Sequence, residues 1–154
     1  MGNGHLRDEM MRECEQRGIA AHFRFPGWAE YETIPSYMNL ADLVVLPSQG
    51  EGLARVYLET QACGQVILAS DIAPAREVIT PGETGFLFPV GDVSELTAQT
   101  LRIARDPALR REVGNKARER SHQHSRPRIA AAYVAAMNDL LDRTSPRSNT
   151  TPPR

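Results

Sequence analysis

The residues best placed to do chemistry lie between Pro47 and Ser70: Ser48, Gly50, Glu51, Gly52, Arg55 and Glu59. Glu51 and Glu59 stand eight positions apart. With 19 acidic residues in 154 that spacing carries nothing by itself. Its setting does. The apolar run Leu43-Val44-Val45-Leu46 ends at Pro47, a loop of small residues follows, and a helical pattern begins near Leu53 and stops at Gly64. In an open α/β sheet, ligands bind beyond the carboxyl ends of the strands. The free N–H groups of a helix start favour phosphate. Glu51 would then lie in the loop at the rim of a site. Glu59, about two turns into the helix, could accept hydrogen bonds from hydroxyls such as those of a ribose. The same residues also read as a helix cap (Glu51) and a solvated side chain (Glu59), and the physics alone leaves both readings open.

Other chemistries find less support. Gly2-Asn3-Gly4-His5-Leu6-Arg7 starts like a glycine-rich phosphate loop, but Arg7 stands where the third glycine belongs, so the dinucleotide fingerprint is broken. It reads equally as a strand-to-helix turn. His5, His22, His122 and His124 show no H-x-x-x-H spacing, and there is no C-x-x-C, so no metal is expected. Ser48 sits in Leu46-Pro47-Ser48-Gln49-Gly50, not in a G-x-S-x-G nucleophile turn.

The elements that must position these residues alternate. A helix is expected over 5–17 with Leu6, Met10 and Cys14 on one face, then a short β-like run from His22 to Phe25 closed by Pro26-Gly27. A helix follows around 34–41 with Pro35 in its first turn. Leu43 to Leu46 reads as a strand buried on both faces, 53–63 as a helix, Val66 to Ala69 as a second buried strand, 74–79 as a short helix, and Phe86-Leu87-Phe88 as a third strand. Asp92 with Glu95 forms a capping signal, and Asp106-Pro107 opens the next helix. A last helix over 127–142 carries Ile129, Tyr133, Ala136, Met137 and Leu140 on one stripe. From Thr144 onward, Pro, Ser and Thr predict a disordered tail. Strands alternating with helices predict an α/β fold with a mostly parallel sheet.

Composition narrows the class. Hydrophobic residues make up 41% and charged residues 24%, an ordinary globular balance. No apolar stretch approaches the ~20 residues that span a bilayer, and Met1 to Arg12 shows no signal-peptide pattern. Two cysteines, Cys14 and Cys63, fit a reducing compartment. The net charge of −1 argues against nucleic-acid binding. The balance is uneven: residues 1–101 hold 6 basic and 14 acidic side chains, residues 102–154 hold 12 basic and 5 acidic. The basic half would suit an anionic surface, or simply arginine-rich helices over an acidic domain.

With these residues set out, the segment resembles the donor-binding half of retaining glycosyltransferases of the GT-B fold, the large family 4 type. That family carries an E-x7-E block of the form E-G-[FL]-[GP]-x-x-x-x-E-A-M-A-C-G-x-P-V-[IV]-A-[ST]. The matches are Glu51, Gly52, Leu53, Glu59, Ala62, Cys63, Gly64, Val66, Ile67, Ala69 and Ser70. Tyr37 to Asp42 with Leu46-Pro47-Ser48 is similar to its Y-x-x-A-D-x-x-x-x-P-S. Arg76-Glu77-Val78-Ile79 through Gly82 to Leu87 is similar to its P-E-x-[IV]-x-x-G-x-x-G-x-L, and Gly2-Asn3-Gly4 to its G-x-G turn. Departures are Ala54 for the usual Gly or Pro, Thr60-Gln61 for Ala-Met, and Gln65 without a following proline.

The resemblance implies a Rossmann-like parallel sheet with flanking helices: residues 1–143 as a partial GT-B C-terminal domain lacking its opening elements, with an open sheet seam. It implies transfer of a hexose from a nucleotide-sugar, such as UDP- or GDP-hexose, to an acceptor hydroxyl with retention. Glu51 becomes the catalytic-site carboxylate at the donor sugar and Glu59 the ribose ligand. Ser48, Gly52, Leu53, Ala54, Arg55, Gly2, Asn3 and Gly4 become donor-binding residues. No cofactor or metal is expected. The acceptor domain and diphosphate cations of the family are not found, so the chain by itself is expected to lack activity. An N-terminal-half polypeptide or a homo-oligomer would cover the seam; a non-catalytic nucleotide-sugar-binding module is the alternative. A cytoplasmic place, at the inner membrane face, in polysaccharide assembly completes the expectation.

Overall fold

The computed structural model describes residues 3–144, so Gly2 and the tail beyond Thr144 lie outside the described residues. The chain divides into two compact units, with the boundary between Ala41 and Asp42.

In the first unit, α1 (Arg7–Gln16) ends at Gly18, whose φ of 68° lets its N–H close onto the Glu15 carbonyl. Of the apolar face expected on α1, Cys14 is buried while Leu6 and Met10 are about half exposed, at 50% and 55%. The strand expected over His22 to Phe25 is not formed. Ala20–His22 is a 3-10 turn, and the Phe23 N–H bonds back to the Ala20 carbonyl. The Arg24 guanidinium donates to the Ala21 and Phe23 carbonyls, and Pro26 brings no N–H to a ladder. The Phe23 N–H and the Ala21 and Phe23 carbonyls are thus engaged locally and not by a neighbouring strand. A second 3-10 turn, Tyr31–Thr33, leads into α2 (Ile34–Leu40), with proline in its first turn and Met38 buried.

The second unit holds a three-stranded parallel sheet in the order β1 (Val44–Leu46), β2 (Ile67–Ser70), β3 (Phe86–Phe88). Val44 pairs with Ile67, and Leu68 with Phe86. Central β2 is buried along its whole length, as the unbroken apolar run Val66 to Ala69 predicts. β1 differs from expectation: it is an edge strand among the described residues, and Val45 is 39% exposed.

Helices cover both faces. Ile67 and Ala69 pack with Tyr57 of α3 (Arg55–Ala62) and with Ala75 and Val78 of α4 (Ala73–Val78). On the other face Val66 and Leu68 pack with Ile103 of α5 (Val93–Arg105) and Val113 of α6 (Pro107–Ser121). Fully burying each such side chain contributes about 1.5–3 kcal/mol. Both caps form: Asp92 accepts from the Glu95 N–H and Asp106 from the Leu109 N–H, each at 2.9 Å. Glu95 does not reach back as a capping box would; its carboxylate takes the Gln99 amide at 2.7 Å. The last helix, α7 (Arg126–Thr144), forms where expected, but its apolar stripe is exposed from Ile129 to Met137.

Candidate functional site

All three strands are parallel, so their carboxyl ends share one edge of the sheet. From β1 the chain runs through Pro47 to Ala54 into α3. Ala54 has the extended φ of −68° and ψ of 117° of an N-cap residue, and its methyl side chain makes no cap hydrogen bond. The N-cap position belongs to Ala54 and not to Glu51. Its Oε1 instead accepts from the Ser48 hydroxyl at 2.9 Å, which turns the loop back on itself. Gly50, Glu51, Gly52 and Leu53 are exposed. A Cβ at Gly50 or Gly52 would meet nothing within 4 Å, so space lies open over that backbone.

Glu59 lies in the second turn of α3, half-buried. It shares its end of the helix with Cys63, whose thiol is pushed up by burial and further by the Glu59 charge, with Arg118 opposing. Tyr57 points to the core from the first turn and is fully buried. Burial raises its phenol pKa, and the nearby Glu51 charge adds to the effect.

The far end of α3 is fixed by close packing. Gly64, at φ 72°, turns the chain beneath α6, and Gly114 lies so close that a Cβ there would fall 2.2 Å from the Gly64 carbonyl oxygen. Buried Gln61 donates from Nε2 to the Val78 carbonyl at 3.1 Å and the Thr84 carbonyl at 3.5 Å. Thr60, also fully buried, lies beside it in the sequence. Gln61 thereby ties α3 to the turn that leads into β3.

The family sequence model described as "Glycosyl transferases group 1" matches residues 1–120. The chain belongs to that family. Among relatives of this glycosyltransferase-family chain, the alpha-D-kanosaminyltransferase of Streptomyces kanamyceticus is 31% identical over 141 residues, covering 91% of this chain and 34% of the relative. The solved structure of sucrose-phosphate synthase from Thermosynechococcus elongatus superposes with a TM-score of 0.81 at 27% identity, over 94% of this chain and 36% of that one. The Anabaena protein HepE, solved with UDP-glucose, superposes with a TM-score of 0.70 at 26% identity, over 75% of this chain and 32% of that one. The chain thus spans about a third of the length of these relatives. The GT-B neighbours agree with the α/β fold and the parallel sheet expected from the sequence.

Within this glycosyltransferase-family fold, Ser48, Glu51, Gly52, Leu53, Ala54 and Arg55 lie on one continuous segment from β1 to α3, with Glu59 one turn further along the helix. Asn3 and Gly4 belong to the first unit. There the Arg7 N–H bonds to the Gly4 carbonyl at 3.0 Å, and a Cβ on Gly27, whose φ is 77°, would fall 3.0 Å from the Asn3 Oδ1. Gly4 borders a groove of about 340 Å³ lined also by Arg7, Arg24 and Phe25.

Two features at the sheet edge were missed in the sequence. Tyr57 sits beneath the Glu51 loop. Asp71, directly after β2, forms a bidentate ion pair with Arg76 at 2.6 and 2.9 Å, and its carboxyl is held below the usual range by those hydrogen bonds. An acid immediately after a buried strand, five residues before an arginine, is the signal that could have found it. Among the described residues, no group of three or more His, Cys, Asp and Glu side chains could hold a metal ion, and no helix is long and apolar enough to cross a membrane.

Proposed function

We propose that this chain is the nucleotide-sugar donor-binding part of a retaining hexosyltransferase, with residues 1–143 forming that part. The observation that carries the reading is the Ser48–Glu51 hydrogen bond, which folds an open glycine-containing loop at the carboxyl end of β1, directly before a helix whose N-cap residue, Ala54, makes no side-chain cap. The HepE structure with UDP-glucose supports the ligand class.

Glu51 orients the donor hexose through its hydroxyls, and Ser48 holds that carboxylate. Glu59 accepts from the ribose hydroxyls. Leaving of the nucleoside diphosphate develops negative charge on the phosphate. The backbone N–H groups of Gly52, Leu53 and Ala54 meet that charge at the start of α3, where the helix dipole favours it, and Arg55 is the cation nearest to them in the segment. The nucleotide-sugar is substrate, and the site uses no resident cofactor or metal. A nucleotide-sugar donor suits the cytoplasm, and the basic side chains of residues 102–154 suit a position at the inner membrane face, in polysaccharide assembly.

Calorimetry with UDP, GDP and their sugar conjugates tests this directly. A carboxylate taking ribose hydroxyls contributes about 1.5–3 kcal/mol, so Glu59→Ala should weaken nucleotide binding about tenfold or more. Unchanged affinity removes the ribose assignment. Since the chain spans about a third of its relatives, a second reading is a donor-binding half that transfers sugar only when a partner polypeptide supplies the acceptor side. Negligible turnover by the pure chain, restored by such a partner, supports that version. Binding without turnover in either case leaves a non-catalytic nucleotide-sugar module, and robust turnover by the chain alone sinks both.

A further inference from the structure

Tyr57 is fully buried, yet its hydroxyl has no hydrogen-bond partner among the described residues. A buried hydroxyl left unpaired is disfavoured, and a phenylalanine would fill nearly the same space without that loss. The ring belongs to a core cluster with Ile67, Ala69, Ala75 and Val78, whose side chains accept no hydrogen bond. Side chains on a helix lean towards its N-terminus. Tyr57 stands in the first turn of α3, so its hydroxyl lies towards the loop that enters the helix. After burial, the charge of Glu51 in that loop is what pushes the phenol pKa up. An unpaired buried donor therefore lies within reach of one particular carboxylate.

We propose, resting on the donor-binding reading of this loop, that the Tyr57 hydroxyl donates to the Glu51 carboxylate once a nucleotide-sugar is bound, which makes Tyr57 a positioning residue for the sugar. The acceptor capacity is there. An ionised carboxylate offers about four lone-pair sites. The Ser48 hydroxyl takes one of them on Oε1, at 2.9 Å. Sugar hydroxyls take others, and room remains for a donor from beneath. Glu51 is exposed, and a Cβ at Gly50 or Gly52 would meet nothing within 4 Å, so the loop has space to settle onto α3. A sugar over the loop displaces water from the carboxylate. The lower local dielectric strengthens its hydrogen bonds and raises the cost of leaving either group unpaired. A nucleotide without its hexose brings nothing to Glu51, so Tyr57 acts on the sugar part of the ligand and not on the nucleotide.

Calorimetry on the whole chain with UDP, UDP-glucose, GDP and GDP-mannose reads the affinity of each nucleotide-sugar relative to its nucleotide. Tyr57→Phe should lower that relative affinity about tenfold, the size of one hydrogen bond to a charged group, and leave the bare nucleotide within about twofold. In a Glu51→Ala background the same change should add nothing, because both substitutions break one contact. Without ligand, Tyr57→Phe should melt at or above the parent, since it removes an unpaired buried hydroxyl. A clear drop in melting temperature would show the hydroxyl already paired in the free chain and overturn the proposal. Equal loss of nucleotide and nucleotide-sugar also overturns it and assigns Tyr57 to packing alone. So does a loss that persists without Glu51. An unchanged ratio overturns it while leaving donor binding intact, whereas a parent chain that binds none of the four ligands removes the donor reading and the role of Tyr57 together.

Discussion

Gly114→Ala sets two physical effects against each other on one atom. The residue lies inside α6, where helix propensity alone favours alanine over glycine by about 0.8–1 kcal/mol. The structure points the other way. The new methyl carbon would sit 2.2 Å from the Gly64 carbonyl oxygen and 3.1 Å from its carbonyl carbon. Neither is the end of a flexible side chain. Gly64 is held at φ 72° and cannot turn its carbonyl aside without leaving the turn that ends α3. The helices must part by at least about 1 Å to reach ordinary contact.

Parting them disturbs Val113 and Ala117, both fully buried, and with Val113 its packing on Val66, Leu68 and Phe86. Overpacking of this kind costs about 1–3 kcal/mol and more when backbone meets backbone. After the propensity gain is subtracted, a net loss of about 2 kcal/mol remains. For a chain of this size that lowers the melting temperature by about 4–8 °C. Thermal and urea unfolding followed by far-UV circular dichroism measures it. A variant that melts at or above the parent would show that α3 and α6 are not in contact at these glycines, and that Glu59 is not held by this packing.

Two further substitutions probe the supports of the site. Gln61→Met, which installs the family's usual residue, strips the Val78 and Thr84 carbonyls of their buried donor; it also removes the unpartnered Gln61 Oε1, so a net loss of about 1 kcal/mol is expected in urea titration. Asp71→Asn breaks the ion pair with Arg76. Because the folded carboxyl titrates below its ordinary value, the stabilisation is present above the unfolded carboxylate range and lost as pH falls through the folded value. The melting difference between parent and variant should therefore be present at neutral pH and vanish in acid; a pH-independent difference would refute the assignment.

The sequence displayed the periodic elements of the second unit because each carries its own local signal. Asp92 and Asp106 announce helix starts, Gly64 a stop, and Val66 to Ala69 a strand with no polar face. Misreadings occurred where a partner decides. Phe23 to Phe25 is β-like in composition, but a strand exists only when another strand takes its backbone groups, and here local carbonyls and Arg24 take them. β1 is apolar enough for the middle of a sheet, yet an edge position exposes Val45. At the site, the Glu51 loop was legible from its glycines and its place after an apolar run. The Ser48–Glu51 hydrogen bond and the Asp71–Arg76 pair were not, because both depend on rotamers that spacing does not encode. Thr60-Gln61 departs from the family pattern with nothing in the sequence to say why; the fold shows Gln61 as an internal hydrogen-bond donor.

The start of α3 offers a test of whether the fold gives up stability for binding there. Ala54 holds N-cap backbone geometry with a side chain that cannot cap. Ser at an N-cap is worth about 0.5–2 kcal/mol over Ala because its oxygen takes an N–H of the first turn. If those N–H groups serve the helix alone, Ala54→Ser should raise the melting temperature and leave nucleotide binding untouched. A serine oxygen at 54 would take the Val56 N–H, since the Tyr57 N–H already bonds to the Ala54 carbonyl; if a phosphate at the loop end also draws on that N–H, the serine hydroxyl competes for it. The variant should then melt higher while binding UDP more weakly, with the loss shared equally by UDP-glucose because the sugar is held elsewhere, by Glu51. A gain in stability with UDP affinity unchanged would place the phosphate away from the Val56 N–H and confine it to the loop before α3.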